Sequence, residues 1–265
     1  MKKHKYVAIF VVILLTIFCM AFVYGYEYRY TNTESGRLAA VKEYVLSEDR
    51  SLEHHLQIGT PIDILGWHEV EGTLFVFFQA DTDDNVRGVL SLAKGINGRY
   101  RPVEQNMHPS QFVYGIDKMT LRPEGTDKDL YAMIGRTDGN ISYAELTYSI
   151  KDLTGIIQPE ITKRYNLTEN FINIYETQDL IEEVGFIYYN NFAALFFSVD
   201  EMRLYDNDGN DITAEYQDSS VDLSWVGSKS SGSIELINLV LYLVMGMLAL
   251  GGIIIARLIW KYANS

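Results

Sequence analysis

Cysteine is almost absent: Cys19 stands alone in 265 residues. With no second thiol the chain forms no internal disulfide. A large cysteine-free domain is also unlike the disulfide-rich ectodomains of oxidising eukaryotic compartments, so a bacterial surface is the better expectation. On that reading the Asn-x-Ser/Thr triplets at Asn140 and Asn166 carry no glycosylation meaning. Charge is missing from two long stretches. Tyr6 to Tyr26 and Leu236 to Ala256 each run for 21 residues without Asp, Glu, Lys or Arg, Asn238 being the main polar interruption. As helices rising about 1.5 Å per residue, each covers roughly 32 Å, close to the thickness of a bilayer's hydrocarbon core. A helix also satisfies its own backbone in lipid. The lack of Asp, Glu, Lys, Arg and His inside both runs removes the usual mark of a proton relay, ion pathway or transport site.

Basic residues flank the two runs on their outer sides. Lys2, Lys3 and Lys5 precede the first, Arg257 and Lys261 follow the second, and Glu27 and Glu235 occupy the inner flanks. Lys and Arg are retained on the cytoplasmic side, so both termini are expected there and the middle outside. A cleaved signal peptide is the competing reading of the first run. That run is longer than the roughly 7–15 apolar residues of a signal peptide, and Tyr24 and Tyr26 fit an aromatic belt better than a cleavage site. A lipid-attachment site would need a small residue next to Cys19, where Phe18 stands. The organisation predicted is a cytoplasmic tail 1–5, a transmembrane helix 6–26, an extracytoplasmic β-rich domain 27–226, a linker 227–235, a second transmembrane helix 236–256 and a tail 257–265.

The middle region is short of basic charge. All 35 acidic residues lie between Glu27 and Glu235, against 17 of the 22 basic ones, a net charge of −18 for that stretch. Such a surface excludes nucleic acid as a partner, because phosphate binding requires a basic face. It also argues against adhesion to anionic lipid headgroups. Solubility is the plain explanation of the acidity.

Within the domain, Glu27 to Ser35 reads as a polar stalk. Gly36 to Arg50 reads as an amphipathic helix with Leu38, Val41, Val45 and Leu52 on one side. Hairpin signals follow. Ile62 to Val70 and Thr73 to Ala80 flank Glu71-Gly72, Asp81 to Asn85 makes an acidic loop, Val86 to Ala93 returns, and Asn97-Gly98 turns into Arg99 to Glu104. That is a four-stranded antiparallel meander. Leu130 to Arg136 and Ile141 to Ile150 flank Asp138-Gly139 as a further hairpin, Gly185 to Tyr189 and Ala193 to Val199 flank Asn190-Asn191, and a last strand is expected near Val221 to Val226. Pro123, Glu124 and Gly125 interrupt the pattern at 122–127, a possible subdomain boundary. The class is α+β, mostly antiparallel β. No internal repeat is convincing.

Candidates for chemistry are dispersed. His54 and His55 are adjacent, so they diverge on either a helix or a strand, and His68-Glu69 lacks the second histidine of a zinc-protease motif, Gly72 standing four residues on. Asp81-Thr82-Asp83-Asp84-Asn85 and Asp206-Asn207-Asp208-Gly209-Asn210 place oxygen ligands at alternate positions. Both lack the Gly and Glu that a calcium loop needs at its sixth and twelfth positions, and Asp, Asn and Gly are ordinary turn residues. Ser91-Leu92-Ala93-Lys94 matches a penicillin-recognising nucleophile motif without its companion triplets. Tyr188-Tyr189-Asn190-Asn191-Phe192 could stack on a sugar or peptide, but Tyr also suits half-buried strands. Gly246, Gly251, Gly252 and Ala256 give the second run small residues at which a helix can approach closely.

No catalytic, cofactor or metal site is expected from these residues. The expected function is a membrane-anchored binding or interaction module, an accessory subunit of a membrane complex. Its partners would be lipid and another membrane protein, or a second copy, met through the helices, since tails of about five and nine residues hold no output domain. The alternative is a surface hydrolase or transferase with a site assembled from the scattered His and Asp residues, including His108.

Overall fold

The computed structural model describes residues 2–46, 56, 59–82, 85–126, 130–136, 139–152, 155–156, 161–168, 170–176, 196–221, 223, 227–230 and 234–262. It has an apolar helix at each end, α1 (Lys2–Glu27) and α3 (Ile234–Tyr262), and a shorter helix α2 (Glu34–Val45). Between them lie β1 (Ile62–Val70), β2 (Thr73–Ala80), β3 (Val86–Lys94), β4 (Tyr100–Pro109), β5 (Asp117–Leu121), β6 (Leu130–Arg136), β7 (Tyr143–Asp152), β8 (Gly155–Ile156), β9 (Ile161–Asn166), β10 (Asn170–Glu176), β11 (Phe196–Tyr205) and β12 (Gly227–Ser230). All described pairings are antiparallel, so the class is α+β as expected.

The expected meander forms one sheet in the order β1-β2-β3-β4-β12. Its second strand, TLFVFFQA, carries an unbroken apolar run from Leu74 to Phe78 because both faces of the sheet are covered. On one face Val76, Phe78, Leu90 and Met107 meet Ala40, Val41 and Val45 of α2. On the other, Phe75, Phe77 and Val89 meet Leu121, Leu130, Ala132 and Ile134 of a second sheet, β10-β6-β5. That second sheet turns Tyr131, Met133 and Phe171 toward Ala144, Leu146, Met202 and Leu204 of a third sheet, built from β11, β7, β8 and β9. Helix, sheet, sheet and sheet therefore stack in four layers, with the alternation of β2, β3 and β6 supplying residues to two cores.

Five expectations change. The hairpin expected across Asp138-Gly139 does not form: β6 pairs with β5 and β10, and β7 pairs with β8, β9 and β11. Both edges of β6 are already occupied, so the chain crosses to the next layer. The interruption at 122–127 is a hairpin connection within one sheet, since β5 and β6 pair directly across it and share a core. A strand lies at Gly227–Ser230, inside the segment expected as a linker, where it pairs with the open edge of β4, while most of the strand expected near 221–226 falls outside the described residues. The Glu27–Ser35 stalk is folded against the sheet, with Tyr28 and Tyr30 buried. Helix α2 is present, capped by the Thr33 hydroxyl, which accepts from Gly36 N at 3.2 Å. Its buried side is Arg37, Ala40, Val41 and Val45, with Leu38 only half-buried, so the apolar stripe is incomplete; residues 47–55 lie outside the described set.

Two helices are long and apolar enough to cross a membrane, Tyr6–Glu27 and Leu236–Tyr262. They pack antiparallel. Tyr6 lies edge-on to Trp260 with ring centroids 5.8 Å apart, Thr16 faces Gly252, and Tyr28 reaches Asn238, so numbers rise along one helix as they fall along the other.

Candidate functional site

The top of α1 is built into the tip of the β3–β4 hairpin. Tyr24 and Tyr28, one turn apart, stack with centroids 4.8 Å apart and are both buried. The Tyr24 hydroxyl accepts from Ile96 N at 2.8 Å, and the Tyr28 carbonyl accepts from Asn97 Nδ2 at 3.1 Å. Gly95 lies so close that a Cβ there would stand 2.5 Å from the Tyr28 ring. The Tyr28 hydroxyl donates to Asn238 Oδ1 of α3 at 2.9 Å, and Leu241 of α3 is buried with the two tyrosines. One turn of helix thus binds the second helix and the sheet at once.

Charge and backbone complete this joint. Arg101 of β4, its side chain only 2% exposed, donates to Glu27 Oε1 at 2.9 Å. Tyr30 exchanges backbone hydrogen bonds with Tyr100, at 3.1 and 2.8 Å, as a one-residue addition to the sheet. The Tyr30 hydroxyl donates to Glu43 of α2 at 2.6 Å; burial, then that bond, pushes its pKa up to about 12. The hairpin tip also differs from the two-residue turn expected at Asn97-Gly98. Gly98 N donates to the Gly95 carbonyl at 3.0 Å, and only Gly98 has positive φ, at 71°; neither Ile96 nor Asn97 does. The turn is therefore centred on Ile96-Asn97, with Gly98 as the bulge residue behind it.

A second polar cluster lies at the far end of the same hairpin. Arg87 faces His108 across the ladder, and His108 Nε2 lies 2.9 Å from Asp117 Oδ2 of β5, in the neighbouring sheet. Arg87 donates to the Phe112 carbonyl at 3.2 Å. Burial lowers the pKa of Arg87 to about 10 despite Asp117, leaving it charged at neutral pH. Burial also lowers that of His108, but the hydrogen bond and charge of Asp117 outweigh it and the net shift is upward. Beside the cluster opens a cleft of about 510 Å³ lined by Phe112, Lys118, Glu201, Arg203, Asp211 and Gln217, with Arg203 Nε paired to Glu201 at 2.9 Å. His108 and Asp117 resemble a base and its orienting carboxylate. The nearest hydroxyl in sequence, Ser110, instead accepts from Phe112 N at 3.3 Å.

The other sequence candidates are not brought together. His68 lies on β1, three strands from His108, and its row across the sheet meets β4 at Glu104, four residues short of His108, so the two are roughly 19 Å apart at the usual strand dimensions. His54, His55 and Tyr188 to Phe192 lie outside the described residues. Ser91 and Lys94 are on a strand, and Lys94 is tied to Glu69 at 2.7 Å. The Asp206 loop closes on itself, Oδ2 accepting from Asn210 Nδ2 at 2.8 Å and Oδ1 from Asn210 N and Asp208 N at 2.8 and 2.9 Å; the Asn210 side chain first, then these amides, lower its pKa. Among the described residues no group of three or more His, Cys, Asp or Glu side chains is placed to hold a metal ion. In α3, Gly252 abuts Thr16 and shares with Ala256 one cleft along the helix seam; Gly251 lines the cleft opposite, and no atom lies within 4 Å of a Cβ built at Gly246.

Comparison with known proteins finds no family model, no characterised protein and no solved structure that matches this chain. Functional inference therefore rests on the joint and the distal cluster. Sequence reading found parts of the joint, Tyr24 as belt aromatic and Asn238 as polar interruption, but missed the Arg101–Glu27 pair. Its partners are 74 residues apart, and no spacing rule connects them.

Proposed function

We propose that this chain is a two-span membrane protein with both termini cytoplasmic. Its β-rich domain stands on the outer face of a bacterial membrane as a non-enzymatic interaction module, an accessory subunit of a membrane complex. Charge asymmetry at both runs supports the orientation. The observation that carries the functional reading is the joint. A domain on a flexible stalk moves independently of its anchors, whereas one locked to both helix tops turns as one body with them. An event on the outer domain then reaches partners at the helices without a catalytic step.

Reporters fused after Ser265 and inserted at Asp208 test the orientation, the first expected active only inside and the second only outside. Crosslinking of the full-length chain in native membranes should recover a constant membrane partner or a second copy. Gly246→Leu and Gly251→Leu add bulk where no other part of this chain lies within 4 Å of a Cβ, while leaving apolar character intact, and both are expected to reduce that capture. Capture unchanged by either variant would move the interaction to the β-rich domain. A chain recovered alone from intact membranes would overturn the accessory-subunit reading.

A further inference from the structure

The β3–β4 tip exposes an isoleucine where a turn ordinarily carries a polar residue. Ile96 is 87% exposed, more than any other large apolar side chain described, including those along the outer faces of the terminal helices. Single exposed hydrophobics are ordinary on a protein surface and need no account. Ile96 differs in where it is held. Its backbone N–H donates to the hydroxyl of Tyr24, and Tyr24 lies three residues before the end of the apolar span at Glu27. Three residues of helix are about 4.5 Å, and side chains on a helix lean toward its N-terminus, so the tip lies at a level where α1 is still apolar.

The placement is fixed. Gly95 is pressed against Tyr28, Asn97 donates to the Tyr28 carbonyl, and Tyr24 and Tyr28 are packed on Leu241 of α3. The turn centred on Ile96-Asn97 directs residue 96 outward. Charge at the tip is the reverse of the domain's. From Lys94 to Arg101 there are three basic residues and no acidic one, in a region that is otherwise strongly acidic. Lys94 is engaged by Glu69 and Arg101 by Glu27, while Arg99 is exposed at the surface. An apolar side chain at the tip with an exposed cation just behind it fits the outer boundary of a bilayer, where acyl chains give way to phosphates.

We propose that the β3–β4 tip is a shallow membrane contact, with Ile96 entering the interfacial layer of the outer leaflet and Arg99 at the level of the lipid phosphates. This rests on the two-span reading and adds a third point of contact, which fixes the tilt of the sheet relative to the bilayer.

Cys19 is the only cysteine, so Cys19→Ser gives a background for single labels. In that background Ile96→Cys, Leu14→Cys and Asp208→Cys are each labelled with an environment-sensitive fluorophore. The full-length proteins are then reconstituted in phosphatidylcholine vesicles carrying nitroxide lipids labelled at the headgroup or deep in the chain. The label at 96 is expected to be quenched severalfold more by the headgroup nitroxide than by the deep one. The label at 14, on the outward face of α1, should show the opposite order, and that at 208 should respond to neither. A second pair removes the dye's own affinity for lipid: with the label at Asn97→Cys, adding Ile96→Glu should reduce headgroup quenching. Quenching at 14 but not at 96 overturns the tip contact and leaves the two-span reading standing. Absence of quenching at 14 overturns the two-span reading itself. Quenching at 97 that ignores Ile96→Glu overturns the role given to the isoleucine.

Discussion

Two buried arginines stand near opposite ends of the β3–β4 hairpin and hold different things. Arg87, at the end away from the helices, donates to the Phe112 carbonyl and feels the charge of Asp117 in the neighbouring sheet, which His108 contacts directly; its Nε is buried without a hydrogen-bond partner. Arg101, at the helix end, has one carboxylate, Glu27, whose side chain is 38% exposed; its Nε and Nη2 atoms are buried without a hydrogen-bond partner. The distal cluster fastens one sheet to another through the His108–Asp117 contact, with the Arg87 cation beside it. The joint fastens the sheet to a helix with a single ion pair, three tyrosines and close packing. A protein built this way holds its layers together through buried charge and its domain to the anchor mainly through packed aromatic rings.

The largest expected effect follows from removing the Asp117 carboxylate. Asp117→Leu leaves the Arg87 cation buried without its counter-charge and is expected to cost about 3–5 kcal/mol. Urea unfolding of the full-length protein in detergent, followed by tryptophan fluorescence, measures it. Glu27→Leu also leaves a buried cation, Arg101, without its carboxylate, but Glu27 is partly solvated in the native state, so less Coulombic energy is lost and the cost should be smaller. Equal losses would erase the distinction between the two ends.

Packing at the joint gives the next test. In Gly95→Ala the new methyl group meets the Tyr28 ring at 2.5 Å, and the ring is held by its stacking on Tyr24 and its bond to Asn238. Overpacking of this kind costs about 1–3 kcal/mol. Gly98→Ala in the same turn has open space around its Cβ and pays only for a left-handed backbone, about 1 kcal/mol. Thermal unfolding of the two variants should rank them in that order, and a milder Gly95→Ala would mean that the helix top yields.

The distal end should respond to pH. The folded-state pKa of His108 is raised by Asp117, so its protonated form is favoured by folding. That contribution is full below the unfolded value of about 6.5 and disappears as pH rises through the higher folded value. Stability should therefore decline across that window. His108→Gln should flatten the decline, while a joint variant such as Gly95→Ala should shift the curve without changing its shape. A decline that survives His108→Gln would assign it to another group.

What the sequence made legible follows the same division between local and distant causes. The first four strands and the turns at Glu71-Gly72 and Asp206 to Asp211 were readable because apolar runs and turn residues are local signals. Charge-free runs announced the terminal helices for the same reason. The pairing of β6 was not readable, since Asp138-Gly139 suits a hairpin and only the occupied edges of β6 forbid one. Gly227–Ser230 has the composition of a linker, but β4 offers an open edge, and backbone hydrogen bonds do not depend on side-chain composition. The joint was visible as separate residues; their convergence depends on strand order and on the antiparallel packing of two helices far apart in sequence.

The smallest expected effect concerns calcium at the acidic turns. In the Asp206 loop both carboxylate oxygens are already hydrogen-bonded, Oδ1 to the amides of Asp208 and Asn210 and Oδ2 to the Asn210 side chain at 2.8 Å. Asp211 Oδ1 likewise accepts from Thr213 N at 2.9 Å. These bonds lower both pKa values from within the loop, so the carboxylates are held in their charged form without a cation. An ion would have to compete with the hydrogen bonds that shape the turn. A ligand at a hundred times its Kd stabilises a fold by about 2.7 kcal/mol, which for a domain of this size raises Tm by roughly 5–10 °C. Millimolar calcium added to the full-length protein in detergent is expected to move Tm by no more than about a degree, with magnesium as the reference. A rise of several degrees with calcium alone, abolished by Asp206→Asn, would mean that the loop opens its oxygens to a cation, and the distal half of the domain would then contain a ligand site that these turn hydrogen bonds conceal.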